Sequence, residues 1–238
     1  MLKELSPLLH PQTLTVTGKT LGENVKGSEV LNREVIFPLS APIAPEGGLA
    51  ILRGNLAPHG AVIKISGVAR EDLRKKGPAK VFGSETEACE KLLKGEIRPG
   101  DMVVFRYVGP KGDPGMRLTA RFLWLLAGMN LDTAVMVITD GRFSGSNKGG
   151  AVGHVSPEAA EGGPIALVRD GDMIEVNIPE RKLELAVSEE EMQRRRHSWR
   201  PAVSAETPWR RGRLGPASAP CRLLFGNMYE DAEIERAR

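Results

Sequence analysis

Short apolar runs rich in β-branched residues, broken by glycine and proline, set the pattern of the chain. Leu14–Val16, Val35–Phe37, Leu49–Leu52, Ala61–Ile65, Met102–Tyr107, Ala134–Ile138, Ile165–Val168, Met173–Ile178 and Leu183–Val187 each predict a strand. Turn signals fall between them, at Gly47-Gly48, Pro58-His59-Gly60, Gly109-Pro110-Lys111-Gly112, Gly162-Gly163-Pro164 and Asp170-Gly171-Asp172. Helical signals are fewer. Ser84-Glu85-Thr86-Glu87 is a capping box, followed by the i,i+4 pairs Ala88/Leu92 and Cys89/Leu93 and stopped by Gly95. Ser188-Glu189-Glu190-Glu191 repeats the box and opens a charged helix through Arg196, and Leu118–Ala127 suits a buried helix. Many short strands and three or four helices, without regular βα alternation, predict an α/β or α+β domain in which strands predominate.

The charge pattern divides the chain. Residues 194–238 hold ten Lys and Arg against five Asp and Glu, whereas the remainder carries 23 against 25, within an overall charge of +3. The reading is a domain over 1–193 and a basic, largely irregular tail over 194–238. That tail is read as a solvated terminal face rather than a nucleic-acid patch. A hydrophobic content of 41% and a charged content of 26% are ordinary for a globular protein. Without a long apolar run or a signal-peptide pattern, the expectation is a cytoplasmic protein with no membrane partner. Cys89 and Cys221 are far apart and form no C-x-x-C pair. They predict neither a disulfide framework nor a zinc site, and two thiols are too few for an iron–sulfur cluster.

Three stretches can carry chemistry. In Ala134–Gly150 an apolar strand feeds into Thr139-Asp140-Gly141-Arg142-Phe143-Ser144-Gly145-Ser146-Asn147-Lys148. A hydroxyl is thereby presented among glycines and cations, the composition of an anion-binding loop. The segment lacks the G-x-S-x-G elbow and both glycine-rich nucleotide fingerprints. Gly54–Lys64 leads a turn into a strand, and Lys64 is a possible carboxylate partner or a solvated strand end. In Gly153–Pro164, His154 and Glu158 are a weak metal pair, because Pro157 interrupts i,i+4 helical geometry.

Together these stretches resemble the dihydroxy-acid dehydratases and their sugar-acid dehydratase relatives. The resemblance rests on Leu14–Leu21, Gly54–Lys64, Ile138–Gly145, Gly153–Pro164, Asp170-Gly171-Asp172 and the Arg194–Trp199 ending, and spans about residues 1–199. Arg142-Phe143-Ser144-Gly145 and Gly153-His154-Val155-Ser156-Pro157-Glu158 look more like the dihydroxy-acid branch. The resemblance implies a strand-rich, three-layer β/β/α swivelling domain, the C-terminal half of such enzymes. It also implies removal of water from a small 2,3-dihydroxy carboxylate in branched-chain amino-acid biosynthesis, with an iron–sulfur cluster and magnesium as the family's cofactors. Ser144 falls at the family's base, with Arg142, Ser144 and Gly145 beside the substrate. A separate cluster-bearing N-terminal half and a homo-oligomer are the implied partners, and this chain by itself is expected to hold no cofactor. At the position of the family's magnesium-binding glutamate the sequence has Leu118, in Gly115-Met116-Arg117-Leu118-Thr119. An isobutyl group offers a hard cation no oxygen. Two alternatives to a working dihydroxy-acid dehydratase domain therefore stand: a sugar-acid dehydratase domain, and a non-catalytic domain that pairs with full-length dehydratase.

Overall fold

The structure is a computed structural model, and it describes residues 1–113, 116, 119–144 and 148–200. It divides into two units, Met1–Gly48 and Leu49–Arg238.

Residues 1–48 are organised by local hydrogen bonds. Their helices are α1 (Leu2–Leu5) and α2 (Leu21–Val25), the latter opened by a capping box of Thr20 and Glu23. Asn24 Nδ2 donates to the Thr15 and Thr17 hydroxyls at 2.7 and 2.9 Å. None of these 48 residues is buried. The strands expected at Leu14–Val16 and Val35–Phe37 do not form. Leu14 makes a single bridge to Thr20, and Val35 lies in a turn. A three-residue apolar run has little to hold it extended without a neighbouring strand and a core to cover.

From Leu49 onward the described elements are β1 (Leu49–Leu52), β2 (Gly60–Lys64), β3 (Arg74–Phe82), α3 (Glu85–Leu93), β4 (Met102–Phe105), α4 (Ala120–Gly128), β5 (Met136–Thr139), β6 (Ala151–Ser156), β7 (Met173–Asn177), β8 (Lys182–Leu185) and α5 (Glu189–Ser198). The strands form one sheet in the order β1-β2-β6-β5-β4-β3-β7-β8. Strands β3, β4, β5 and β6 run parallel to one another, and the remaining neighbours are antiparallel. A bridge between Arg53 and Lys182 brings the two edges together, so the sheet is nearly closed.

Two cores explain why β4 and β5 read as unbroken apolar runs. Met102, Val104, Met136 and Ile138 face the inside of the curled sheet, where Ile63, Ile174, Val176 and Leu183 meet them. Val103, Phe105, Val135 and Val137 face the other way, toward Ala88 and Leu92 of α3 and Phe122 and Leu126 of α4. Parallel strands covered on both faces need apolar residues at every position. The domain is therefore the expected mixed α/β fold, with one core inside the curled sheet and the other between the sheet and helices α3 and α4. Phe105 and Phe122 meet edge to face at 5.2 Å between ring centres, a favoured aromatic geometry. Cys89 is buried in this second core, as a small apolar side chain.

Three elements differ from the sequence expectation. β3 carries Arg74, Lys75, Lys76 and Pro78, yet it pairs with β4 on one side and β7 on the other. β6 contains Gly153 and His154 and was not predicted as a strand, but it lies between β5 and β2. Ile165–Val168 is not a strand. Pro164–Leu167 is a 3-10 turn, begun by a proline whose fixed φ and missing N–H suit a first helical position.

Candidate functional site

Parallel pairing places the C-terminal ends of β4, β5 and β6 on one edge of the sheet. Three described segments leave that edge side by side: 106–113 after β4, 140–144 after β5 and 157–163 after β6. In open parallel sheets and closed parallel barrels alike, ligands bind at the C-terminal ends of the strands. Ser144 lies on the middle loop and is half-buried. Gly145 and Leu118, the other positions singled out there, fall outside the described residues.

Two buried carboxylates hold the three loops together. Asp140, 2% exposed, follows β5 directly. Its Oδ2 accepts from the backbone N–H groups of Tyr107 at 3.1 Å and Ala159 at 2.9 Å, and its Oδ1 accepts from that of Val108 at 3.1 Å. Glu158, 6% exposed, accepts from the amides of Lys111 at 2.9 Å and Gly112 at 3.1 Å. Burial raises the Asp140 pKa above the ordinary carboxylate value, and Glu158 pushes the same way, against the pull of the three amides. Amide donors replace the water that each carboxylate gave up on burial.

Close approach of the segments depends on glycine at two points. A Cβ on Gly109 would lie 2.5 Å from Glu158 Oε2, and one on Gly141 would lie 2.9 Å from the Val108 carbonyl. Tyr107 adopts φ 64°, a left-handed conformation uncommon outside glycine, and its N–H is the one Asp140 binds. The Tyr107 hydroxyl accepts from Trp199 Nε1 at 3.1 Å, next to a cleft of about 380 Å³ lined by Arg106, Arg169, Arg195 and Trp199. Arg106 Nη1 donates there to the carbonyls of Ala166 and Val168.

Around Ser144 itself, Gly141 N–H donates to the Thr139 hydroxyl at 2.9 Å, and Gly141 O accepts from His154 N–H at 2.8 Å. Phe143 packs onto the helix-side core. Arg142 Nε donates to the Met116 carbonyl at 2.6 Å, tying the serine loop to the segment that carries Leu118. His154 and Glu158, read as a possible metal pair, do different things. The Glu158 carboxylate is occupied by the Lys111 and Gly112 amides, while His154 is exposed with φ 55°. Lys64 ends β2, where it pairs in register with Leu49.

Sequence reasoning missed Asp140 and the Glu158–amide cluster. One signal was present: an acidic residue two positions after the apolar run Ala134–Ile138, where the strand leaves the core. Its partners are 19 to 33 residues away in sequence and could not be paired by spacing.

The iron–sulfur cluster implied by the resemblance does not fit these residues. Cys89 sits between α3 and the sheet among apolar side chains, and Cys221 lies outside the described residues. No group of three or more His, Cys, Asp or Glu side chains able to hold a metal occurs among the described residues, and Asp140 and Glu158 are committed to backbone amides. Among the described residues, no helix is long and apolar enough to cross a membrane.

Comparison with known proteins agrees with the motifs at this edge. The family model for the dihydroxy-acid/6-phosphogluconate dehydratase C-terminal domain matches residues 34–218. A dihydroxy-acid dehydratase of Caldanaerobacter subterraneus subsp. tengcongensis is 54% identical over 202 residues, covering 84% of this chain and 36% of that protein. The dihydroxy-acid dehydratase of Ignicoccus hospitalis is 53% identical over 216 residues, 90% of this chain and 39% of the relative. That of Carboxydothermus hydrogenoformans is 55% identical over 198 residues, 82% and 36%. The chain thus spans rather more than a third of the length of these relatives.

Proposed function

Because the chain belongs to the dihydroxy-acid/6-phosphogluconate dehydratase family through the C-terminal domain, we propose that it supplies the substrate-binding and proton-abstracting share of a dihydroxy-acid dehydratase. The observation that carries this reading is the serine loop. Ser144 follows a strand buried on both faces, and its loop is pinned at Asp140, Gly141 and Arg142. A reacting hydroxyl on a rigid support is what proton transfer at a fixed carbon requires.

In the reaction, a 2,3-dihydroxy carboxylate loses the proton on C2 and the hydroxyl on C3. The resulting enol becomes the 2-oxo acid, and one water is released. Ser144 takes the C2 proton as its base. Arg142 and Gly145 are the substrate-side residues in this reading, with Arg142 bringing positive charge to the carboxylate. A serine hydroxyl is normally far too weak an acid to serve as a base. Positive charge or amide donors close to the hydroxyl would favour the ionised form.

In this reading the domain's partner is a cluster-bearing N-terminal region, without which it does not turn over. The unit Met1–Gly48 supports such a partner. It exposes Leu8, Leu14, Val16, Leu31, Val35 and Ile43 with no core of its own, as a segment that lies on another protein surface does. Homo-oligomerisation and a cytoplasmic, branched-chain amino-acid biosynthetic setting belong to the same proposal.

Leu118 favours a second reading, in which the domain pairs with dehydratase without catalysing. Reconstitution separates the two. The chain is mixed with the cluster-bearing N-terminal half of a close relative, and 2-oxo acid formation is followed from 2,3-dihydroxy-3-methylbutanoate, with a sugar acid alongside. Product from the first substrate supports the dihydroxy-acid reading, and product from the sugar acid alone moves the assignment to the sugar-acid branch. Co-elution without product leaves the pairing role.

A further inference from the structure

We propose that Asp140 is a positioning residue for Ser144, and that with Glu158 it fixes the three loops at the site edge as one rigid body. The proposal rests on the reading of Ser144 as the base. Asp140 stands at the exit of β5, four residues before the serine, so any displacement of its backbone is transmitted directly into the serine loop. Its carboxylate receives three N–H groups from two other loops, at 2.9 to 3.1 Å. Those donors are the first residues after Arg106 on the β4 loop and the start of the 3-10 turn at Ala159–Glu161 on the β6 loop. Glu158 closes the arrangement from the other side, gripping Lys111 and Gly112 while the Asp140 carboxylate holds its chain neighbour Ala159.

Chemistry favours positioning over proton transfer for both groups. Asp140 is 2% and Glu158 6% exposed, and the oxygens described above face backbone N–H donors. A carboxylate accepts from several donors at once, whereas an amide side chain offers one oxygen and sets an NH2 group against the remaining donors. Asparagine at 140 keeps the size of the side chain and still leaves at least one buried N–H without its acceptor. Strain at this node has somewhere to go, because Tyr107 is held in a left-handed conformation and can relax once Asp140 releases it.

Asp140→Asn is compared with wild type, and Asp172→Asn serves as the control, a carboxylate on the turn before β7 that accepts from the Arg169 amide and the Arg195 guanidinium. Residue-resolved hydrogen exchange is measured on the chain by itself, so the result does not depend on turnover. Exchange at Tyr107, Val108, Gly141 and Ala159 is expected to quicken at least tenfold in Asp140→Asn, with the amides of β7 and β8 unchanged. Asp172→Asn is expected to lower the melting temperature without this local pattern. In a reconstituted enzyme that turns over, kcat should fall on the order of tenfold to a hundredfold with KM within twofold, as misplacement of a reacting group predicts.

Uniformly faster exchange throughout the domain, or a loosened loop with unchanged kcat, would overturn the proposal. If Asp140→Asn does not fold, Glu158→Gln tests the same node through Lys111 and Gly112. Unchanged exchange at those two amides then counts against it. Absence of turnover in the wild-type reconstitution bears on the proposed function and leaves the exchange result to decide the positioning.

Discussion

The backbone N–H of His154 donates to the carbonyl of Gly141 at 2.8 Å and splices the serine loop to the Gly153–Pro164 stretch. Two motifs that read as separate candidates in the sequence are therefore one structural object.

Ser144→Ala removes one oxygen from a half-buried position and should leave the fold intact. In a reconstituted enzyme, kcat should fall by about 10²–10⁴-fold, the usual contribution of a general base, with substrate binding little changed. Steady-state kinetics check this. Retention of most of the rate would place the base elsewhere.

Leu118→Glu should strengthen magnesium binding once a cluster-bearing half is supplied. A carboxylate offers the oxygen a hard cation needs. Calorimetric titration of the two reconstituted proteins makes the comparison, and equal affinities would remove residue 118 from the metal site.

Gly77→Ala should destabilise the domain by about 1–3 kcal/mol, the usual cost of overpacking a filled space. The added Cβ would fall 1.9 Å from the Gly100 carbonyl, which cannot move without disturbing the connection into β4. Urea denaturation of the variant measures the loss, and a midpoint equal to wild type would show that the backbone adjusts freely.

Arg195 fastens α5 to the turn before β7. Its Nη2 donates to Asp172 Oδ1 at 3.0 Å, and the two side chains are 9% and 11% exposed. Burial alone would raise the Asp172 pKa, but the Arg195 hydrogen bond, the Arg169 amide and the charge of both arginines hold it below the ordinary value. Stability from this pair is therefore complete above the unfolded-state pKa of about 3.9 and is lost as pH falls through the lower folded-state value. Asp172→Asn should cost about 3 kcal/mol at neutral pH, because it leaves Arg195 without its main partner. The same change should flatten the acid limb of the stability curve. Asp140 acts with the opposite sign. Its pKa is raised on folding, so its ionisation reduces stability as pH rises from about 3.9 through the folded-state value. Melting curves across pH for both Asp→Asn variants test the two signs.

Local sequence by itself determined several elements. The capping residues Ser84 and Ser188 each accept from the amide three residues on, opening α3 and α5 as their sequences imply. β4 and β5 were legible because two covered faces demand apolar residues throughout. Tertiary structure alone decided β3 and β6. Their lysines, proline and glycine disfavour a strand locally, and only hydrogen bonds to neighbours distant in sequence hold them extended. It also decided what Asp140 and Glu158 do. A carboxylate's role depends on which N–H groups reach it, and those come from loops that only the parallel pairing of β4, β5 and β6 brings to one edge. Hydrophobic periodicity is written along the chain, whereas the partners of a buried charge are set by the fold.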